Sequence, residues 1–306
     1  MRGQVKSKTM QLWQSNEGTA VQGERMKRGA IMAIIAMLGI SGWSVGQSKP
    51  ATSSTTPGQA AGQTAAPAGK RPPQAKTQPE FDAYKLAAAL TDPAAQEKAA
   101  DDFATKFPDS ELRPLLYKQV MHGYQQSNNG EKMLAMSEKV LTFDPDDPEA
   151  LLGVAQVLAE RTHDTDLDKD QRLGEARKNA ERALVTVDTD IPTAGQPQDK
   201  IDAYKGYLKS EAYAILGTLD FNAKAWAAAE GNLRKSIDAF PQQPDPIAVF
   251  RLSVALDMQS KYPDALKVAN QAVDLTKAGT NAGDAARKEK DRLIQLIGGI
   301  PDTPAK

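Results

Sequence analysis

The sequence predicts an all-α protein: a right-handed α-solenoid of about five helical hairpins closed by a C-terminal capping helix. Three observations point there. The chain is rich in alanine and poor in aromatic residues, at 6% Phe, Trp and Tyr, with few β-branched runs, which favours helix over strand. Apolar residues recur at spacings of three and four. One arrangement of turn, small residues and closing proline also returns along the chain, the interval from Tyr124 to Pro145 matching that from Asp220 to Pro241.

Composition also bounds the function. A length of 306 residues suffices for a sizeable core. A net charge of −1 supplies no overall field to recruit nucleic acid or acidic lipid. The absence of cysteine excludes disulfides, thiolate metal sites, a cysteine nucleophile and lipid attached through sulfur.

The amino terminus reads as an export signal. Lys27 and Arg28 precede an apolar run from Ala30 to Trp43, and Ser44-Val45-Gly46 puts small residues one and three places before a cut after Gly46. The run is shorter than the roughly 20 residues of a comfortable membrane span. Met26 stands directly before the basic pair, whereas residues 1–25 are polar and unpatterned. Translation is therefore read as starting at Met26, with 26–46 the signal peptide. The alternative is an uncleaved anchor in the inner membrane, with Lys27 and Arg28 held inside. In both readings the remainder is delivered outside the cytoplasm, periplasmic or secreted. Residues 47–80, with six prolines among Ala, Gln, Ser, Thr and Gly and no aromatic residue, form a disordered linker that cannot offset its ordering entropy. Such a chain reaches on the order of 30 Å.

Helical hairpins fill 81–299, and 300–306 is a disordered tail. In the first hairpin Tyr84, Leu86 and Leu90 share an apolar face, Asp92-Pro93 starts the second helix, and Phe103 and Phe107 close it before Pro108. Pro114 opens the second hairpin, where its missing N–H has no partner to lose. Tyr117, Val120, Met121 and Tyr124 form its stripe, Ser127 to Gly130 the turn, and Met133, Val140 and Leu141 the return. Leu151, Val154, Ala155 and Leu158 belong to the third hairpin, with Ala176, Ala180 and Ala183 opposite, across an acidic insertion from Thr162 to Gln171. The fourth has a long lead-in, Asp202 to Lys209, after a loop from Asp188 to Asp199. Val249, Leu252, Leu256, Tyr262, Ala265, Ala269 and Ala272 make the fifth. The last helix, Ala285 to Ile297, is charged on one side and apolar at Leu293, Leu296 and Ile297, as the cover of a terminal repeat must be.

The fourth hairpin is the most informative. Tyr213, Leu216-Gly217, a turn near Asn222, Trp226, Ala229, Leu233, Ile237 and Pro241 suit two short helices that approach closely, with Gly217 and Ala229 leaving room for their larger neighbours. The Leu-Gly pair, the alanine of the second helix and the terminal proline, at a period of about 34 residues, resemble a tetratricopeptide repeat. The resemblance extends over 81–299, most closely in hairpins four and five, and the signal makes it one of the exported bacterial type. It implies a non-enzymatic scaffold or adaptor of the cell envelope that holds a peptide segment or partner domain in a concave groove lined by the first helix of each pair. Transferred residue by residue, that groove comprises Lys118, His122 and Gln125, then Leu152 and Gln156, then Glu211, Thr218, Phe221, Phe250, Val254 and Asp257. Taken singly, Phe221, Phe250 and Val254 also read as core. The set lacks the Lys and Asn array with which some family members clamp a terminal carboxylate, so an extended or helical segment with a few apolar anchors fits better.

Catalytic chemistry finds no foothold. The two imidazoles, His122 and His163, fall in different hairpins without a partner four residues away. Neither a Gly-rich phosphate loop after a strand nor a Gly-x-Ser-x-Gly elbow is present. No cofactor is expected. One metal pattern is incomplete: Asp164, Asp166, Asp168 and Glu175 take the first, third, fifth and twelfth places of a calcium-binding loop, but Lys169 stands where glycine permits the sharp turn. The preferred reading is a hydrophilic loop whose acids cap the next helix. The alternative function is a calcium-responsive or polymer-handling envelope protein that uses 162–171.

Overall fold

The computed structural model describes residues 70–193 and 195–298. The upstream extension, the signal peptide, most of the linker and the tail lie outside the described residues. Within them are eleven α-helices and no strand: α1 Gln78–Ala88, α2 Pro93–Lys106, α3 Arg113–Gln126, α4 Gly130–Phe143, α5 Pro148–Arg161, α6 Lys169–Thr186, α7 Gln198–Asn222, α8 Trp226–Ala239, α9 Pro246–Met258, α10 Tyr262–Leu275 and α11 Asn281–Ile297. None of the described helices is long and apolar enough to cross a membrane.

Local signals set the helix ends. Asp92, Asp147 and Asp245 each precede a proline at the helix start, and each carboxylate accepts a backbone N–H of the first turn, from Ala95, Ala150 and Ile247. Proline fits there because its fixed φ is helical and the N–H it lacks would have no intrahelical acceptor. Three turns share one geometry. Asn128, Lys224 and Ser260 adopt φ of 58°, 60° and 63°. In each case the next N–H reaches back five residues, from Asn129 to Tyr124 O (2.8 Å), Ala225 to Asp220 O (2.9 Å) and Lys261 to Leu256 O (3.0 Å).

The helices pack in series, each on its chain neighbours. The odd-numbered helices from α1 to α11 also pack on one another in succession, forming a continuous layer. Small residues make the close approaches. Ala176, Ala180, Ala183, Ala229, Ala265, Ala269 and Ala272 are all buried, and a Cβ at Gly217 would lie 2.7 Å from Leu233 Cγ. Aromatic rings close the second helices. Phe143 stacks on Tyr117 at 5.8 Å, and Phe240 meets Tyr207 edge-on at 5.8 Å.

Three stretches differ from expectation. The acidic insertion is shorter, since α6 begins at Lys169. The lead-in from Asp202 to Lys209 is helical, because Ile201 and Leu208 are buried and make α7 one helix of 25 residues. Helix α1 begins inside the stretch read as linker, with Thr77 capping the Glu80 N–H. Residues 70–77 are held against the helices. Arg71 donates to both oxygens of Glu111, the Gln74 N–H donates to Glu111 Oε2 (3.2 Å), and Lys70 pairs with Asp144 and Asp190.

Candidate functional site

Helices α3, α4, α5 and α7 enclose a cleft with a cavity volume of about 110 Å³. One buried water needs roughly 10–15 Å³ on this measure, so the space takes several waters or an inserted side chain, not a folded domain. Its apolar lining is Met121, Met133, Leu152, Val157 and Ile215, and its polar rim includes His122, Gln125, Glu149, Gln156, Glu160 and Glu211. Gly153 lets α5 lie close on α4 behind the cleft, since a Cβ there would meet the buried Ser137 Oγ at 2.3 Å and Met121 Sδ at 3.2 Å.

A charged network stands beside the cleft. Lys118 Nζ lies 3.0 Å from Asp147 Oδ2 and 2.9 Å from Glu149 Oε1, and His122 Nε2 lies 3.0 Å from Glu149 Oε2. Asp147 caps α5 and Glu149 lies in its first turn, so the helix start that orders α5 also presents two carboxylates to Lys118 of α3. The Tyr204 hydroxyl of α7 bonds Glu149 as well. Burial opposes the Glu149 charge, but Lys118, His122 and Tyr204 more than offset it and hold the carboxyl well below its usual range. Lys118 is raised despite burial, by Asp147 and Glu149. Burial first, and Glu149 second, push the Tyr204 hydroxyl well up. Beyond this network runs a row of amides: Gln125 Nε2 donates to Gln156 Oε1 (3.3 Å), and Gln156 Nε2 to Glu160 Oε1 (3.3 Å). The arrangement can hydrogen-bond an extended backbone and seat an apolar side chain beneath it. Methionine suits such a floor because it repacks readily.

The residues expected in a groove divide into two sets. His122, Gln125, Leu152, Gln156 and Glu211 come together in the cleft, and Lys118 lies in the adjoining network. Thr218, Phe221, Phe250 and Asp257 do not join them, because all four are buried, and Val254 is half-buried against the same core. Thr218 Oγ1 accepts from Arg251 (2.7 Å), Phe221 packs edge-on against Trp226 at 5.4 Å, and Asp257 Oδ2 is held by Arg292 at 2.6 Å. Arg292 belongs to α11, which packs on α9 as well as α10 and so occupies the C-terminal end of the layer.

The acidic loop does not assemble a metal site. Lys169 pairs with Asp164 Oδ1 at 2.8 Å, and Asp166 Oδ2 accepts the His163 N–H at 2.8 Å. Asp168 precedes α6 without a side-chain capping bond, and Glu175 lies on its exposed face. Among the described residues no group of three or more His, Asp or Glu side chains could hold a metal ion.

Sequence reasoning missed Asp147, Glu149 and Tyr204. Asp147 and Glu149 sit at the start of α5, but their partner Lys118 is on another helix and Tyr204 lies in the amino-terminal part of α7. No known family model matches the chain, and no curated protein matches it.

Proposed function

We propose that this chain is a non-enzymatic protein-interaction module, exported to the cell envelope, which binds an extended peptide segment in the cleft between α3, α5 and α7. The fold behind it is a right-handed solenoid of about five tetratricopeptide-like hairpins with α11 as the cap. The three repeated turns, the serial packing and the buried alanines support that reading. The observation that carries the function is the hydrogen-bonded row Gln125–Gln156–Glu160, two amides ending on a carboxylate, beside an apolar floor, with the neighbouring Lys118, His122, Asp147 and Glu149 already matched to one another. Matched charges lower the cost of desolvating the rim when a guest covers it, and the amides give the guest backbone its partners.

The test is a photo-crosslinking residue placed at Gln156 in the exported protein, in its own cells, with Val185 as the control on an exposed face of α6. A discrete adduct is expected from position 156 and none from 185, with the 156 adduct lost in Gln125→Ala. Adducts of equal yield at both positions, or none at 156, overturn the reading. Amino-terminal sequencing of the same material checks export, since a chain beginning after Gly46 supports it and one beginning at Met1 does not.

A further inference from the structure

A second surface lies on the loops that join successive pairs, adjoining the Asp147 end of the charged network. The loops from α2 to α3, α4 to α5 and α6 to α7 present Glu111, Asp144 and Asp190 respectively. Residues 70–77 meet all three in order. Working back from Thr77, the Lys76 N–H donates to Glu80 Oε2 (2.7 Å) and the Gln74 N–H to Glu111 Oε2 (3.2 Å). Arg71 then takes Glu111 in a two-pronged pair, and Lys70 bridges Asp144 and Asp190 Oδ2, the latter at 3.1 Å. An extended chain covers at most ~3.6 Å per residue, so seven steps span about 25 Å, enough to cross packed helices 8–10 Å apart.

The site is more than a surface ion pair. The side chains of Asp144 and Asp190 are only 19% and 17% exposed, and the Asp144 and Asp147 charges both act on Asp190. Such acids repel one another unless a cation lies between them, and Lys70 is the cation the structure places there. We infer that the inter-pair loops form an acidic track for an extended cationic segment, and that the chain's own Lys70–Lys76 occupies it in cis. The described chain therefore begins at the edge of the third pair, not at the first. This surface stands whatever the cleft binds.

Hydrogen exchange of the full chain tests it at the Gln74 and Lys76 amides, with Lys70→Glu and Glu111→Gln as variants and the α5 and α9 amides reporting that the fold is intact. Both variants are expected to speed exchange at Gln74 by about fivefold or more while α5 and α9 stay protected. Salt at about 1 M, where the Debye length is ~3 Å, does the same in the unaltered chain. Lys70→Glu combined with Asp190→Lys restores protection. Equal exchange in all forms, or no recovery in the reversed pair, overturns the proposal. Light scattering decides whether the strap acts in cis: a monomer with protected Gln74 supports it, and a dimer that Lys70→Glu dissolves overturns it.

Discussion

Glu149, largely shielded, and Glu289, buried, are driven in opposite directions by their surroundings. Glu149 faces Lys118 and His122 and is held well below 4.5, so it contributes stability that is full above about pH 4.5 and is lost as the pH falls through its folded value. Glu289 is raised by burial, and the Asp257 charge adds to this, with Arg292 opposing both. It therefore gains stability as the pH drops through its folded value towards 4.5. Glu149→Gln is expected to cost about 1–3 kcal/mol at neutral pH, because Lys118 loses one of its two carboxylates, and to flatten the acid limb of the stability curve. Urea denaturation at several pH values measures both effects. At this scale the sequence was informative about size and silent about charge. Gly217 and the alanines announce close approach through their own chemistry, whereas the partner of Lys118 lies 29 and 31 places away, a distance that periodicity does not encode.

The helical elements were largely visible because their ends are written in local chemistry. Asp-Pro starts α2, α5 and α9, and Phe followed by Pro within two residues closes α2, α4 and α8. The shared left-handed turn residue was less visible, since Asn128 is a natural occupant but Lys224 and Ser260 are not. Lys224→Gly should stabilise the chain by about 0.5–1 kcal/mol, since glycine enters the left-handed region without a Cβ penalty. A rise in the denaturation midpoint at unchanged slope checks it. Extra helix at α1 and α7 has different origins. Gln78–Glu80 is polar and ordered by what it touches, Ser110 Oγ meeting Glu80 Oε1 at 2.5 Å, whereas Gln198–Lys209 extends α7 through an apolar stripe of Ile201, Tyr204 and Leu208 at spacings of three and four, with Lys209 reaching Asp188 at 2.8 Å.

For the molecule as a whole, a groove along the first helices of hairpins two to five was expected, with Phe221, Phe250 and Val254 also read as core, and in the structure Thr218, Phe221, Phe250 and Asp257 are buried. Thr218 and Phe221 of α7 are covered by Arg251 and Trp226, and Asp257 of α9 by the reach of α11 across that helix. That contact depends on Arg292, which binds Asp257 at 2.6 Å and Glu289 at 2.9 Å. Arg292→Ala leaves two buried carboxylates without their cation and should cost about 2–4 kcal/mol. Calorimetry should show the loss, with α11 and α9 amides exchanging together. The cleft survives at the other end because the first helices there carry Gln125, Gln156 and Glu211 rather than a neighbour's cover.

Lys70 has a mechanical corollary. Tension applied upstream of it would load the contacts with Asp144 and Asp190 first, and only after these yielded would the pull pass through Arg71 to α1. A tug on the leading end would thus be met by ionic bonds that break and re-form, sparing the hydrophobic interior from the initial strain.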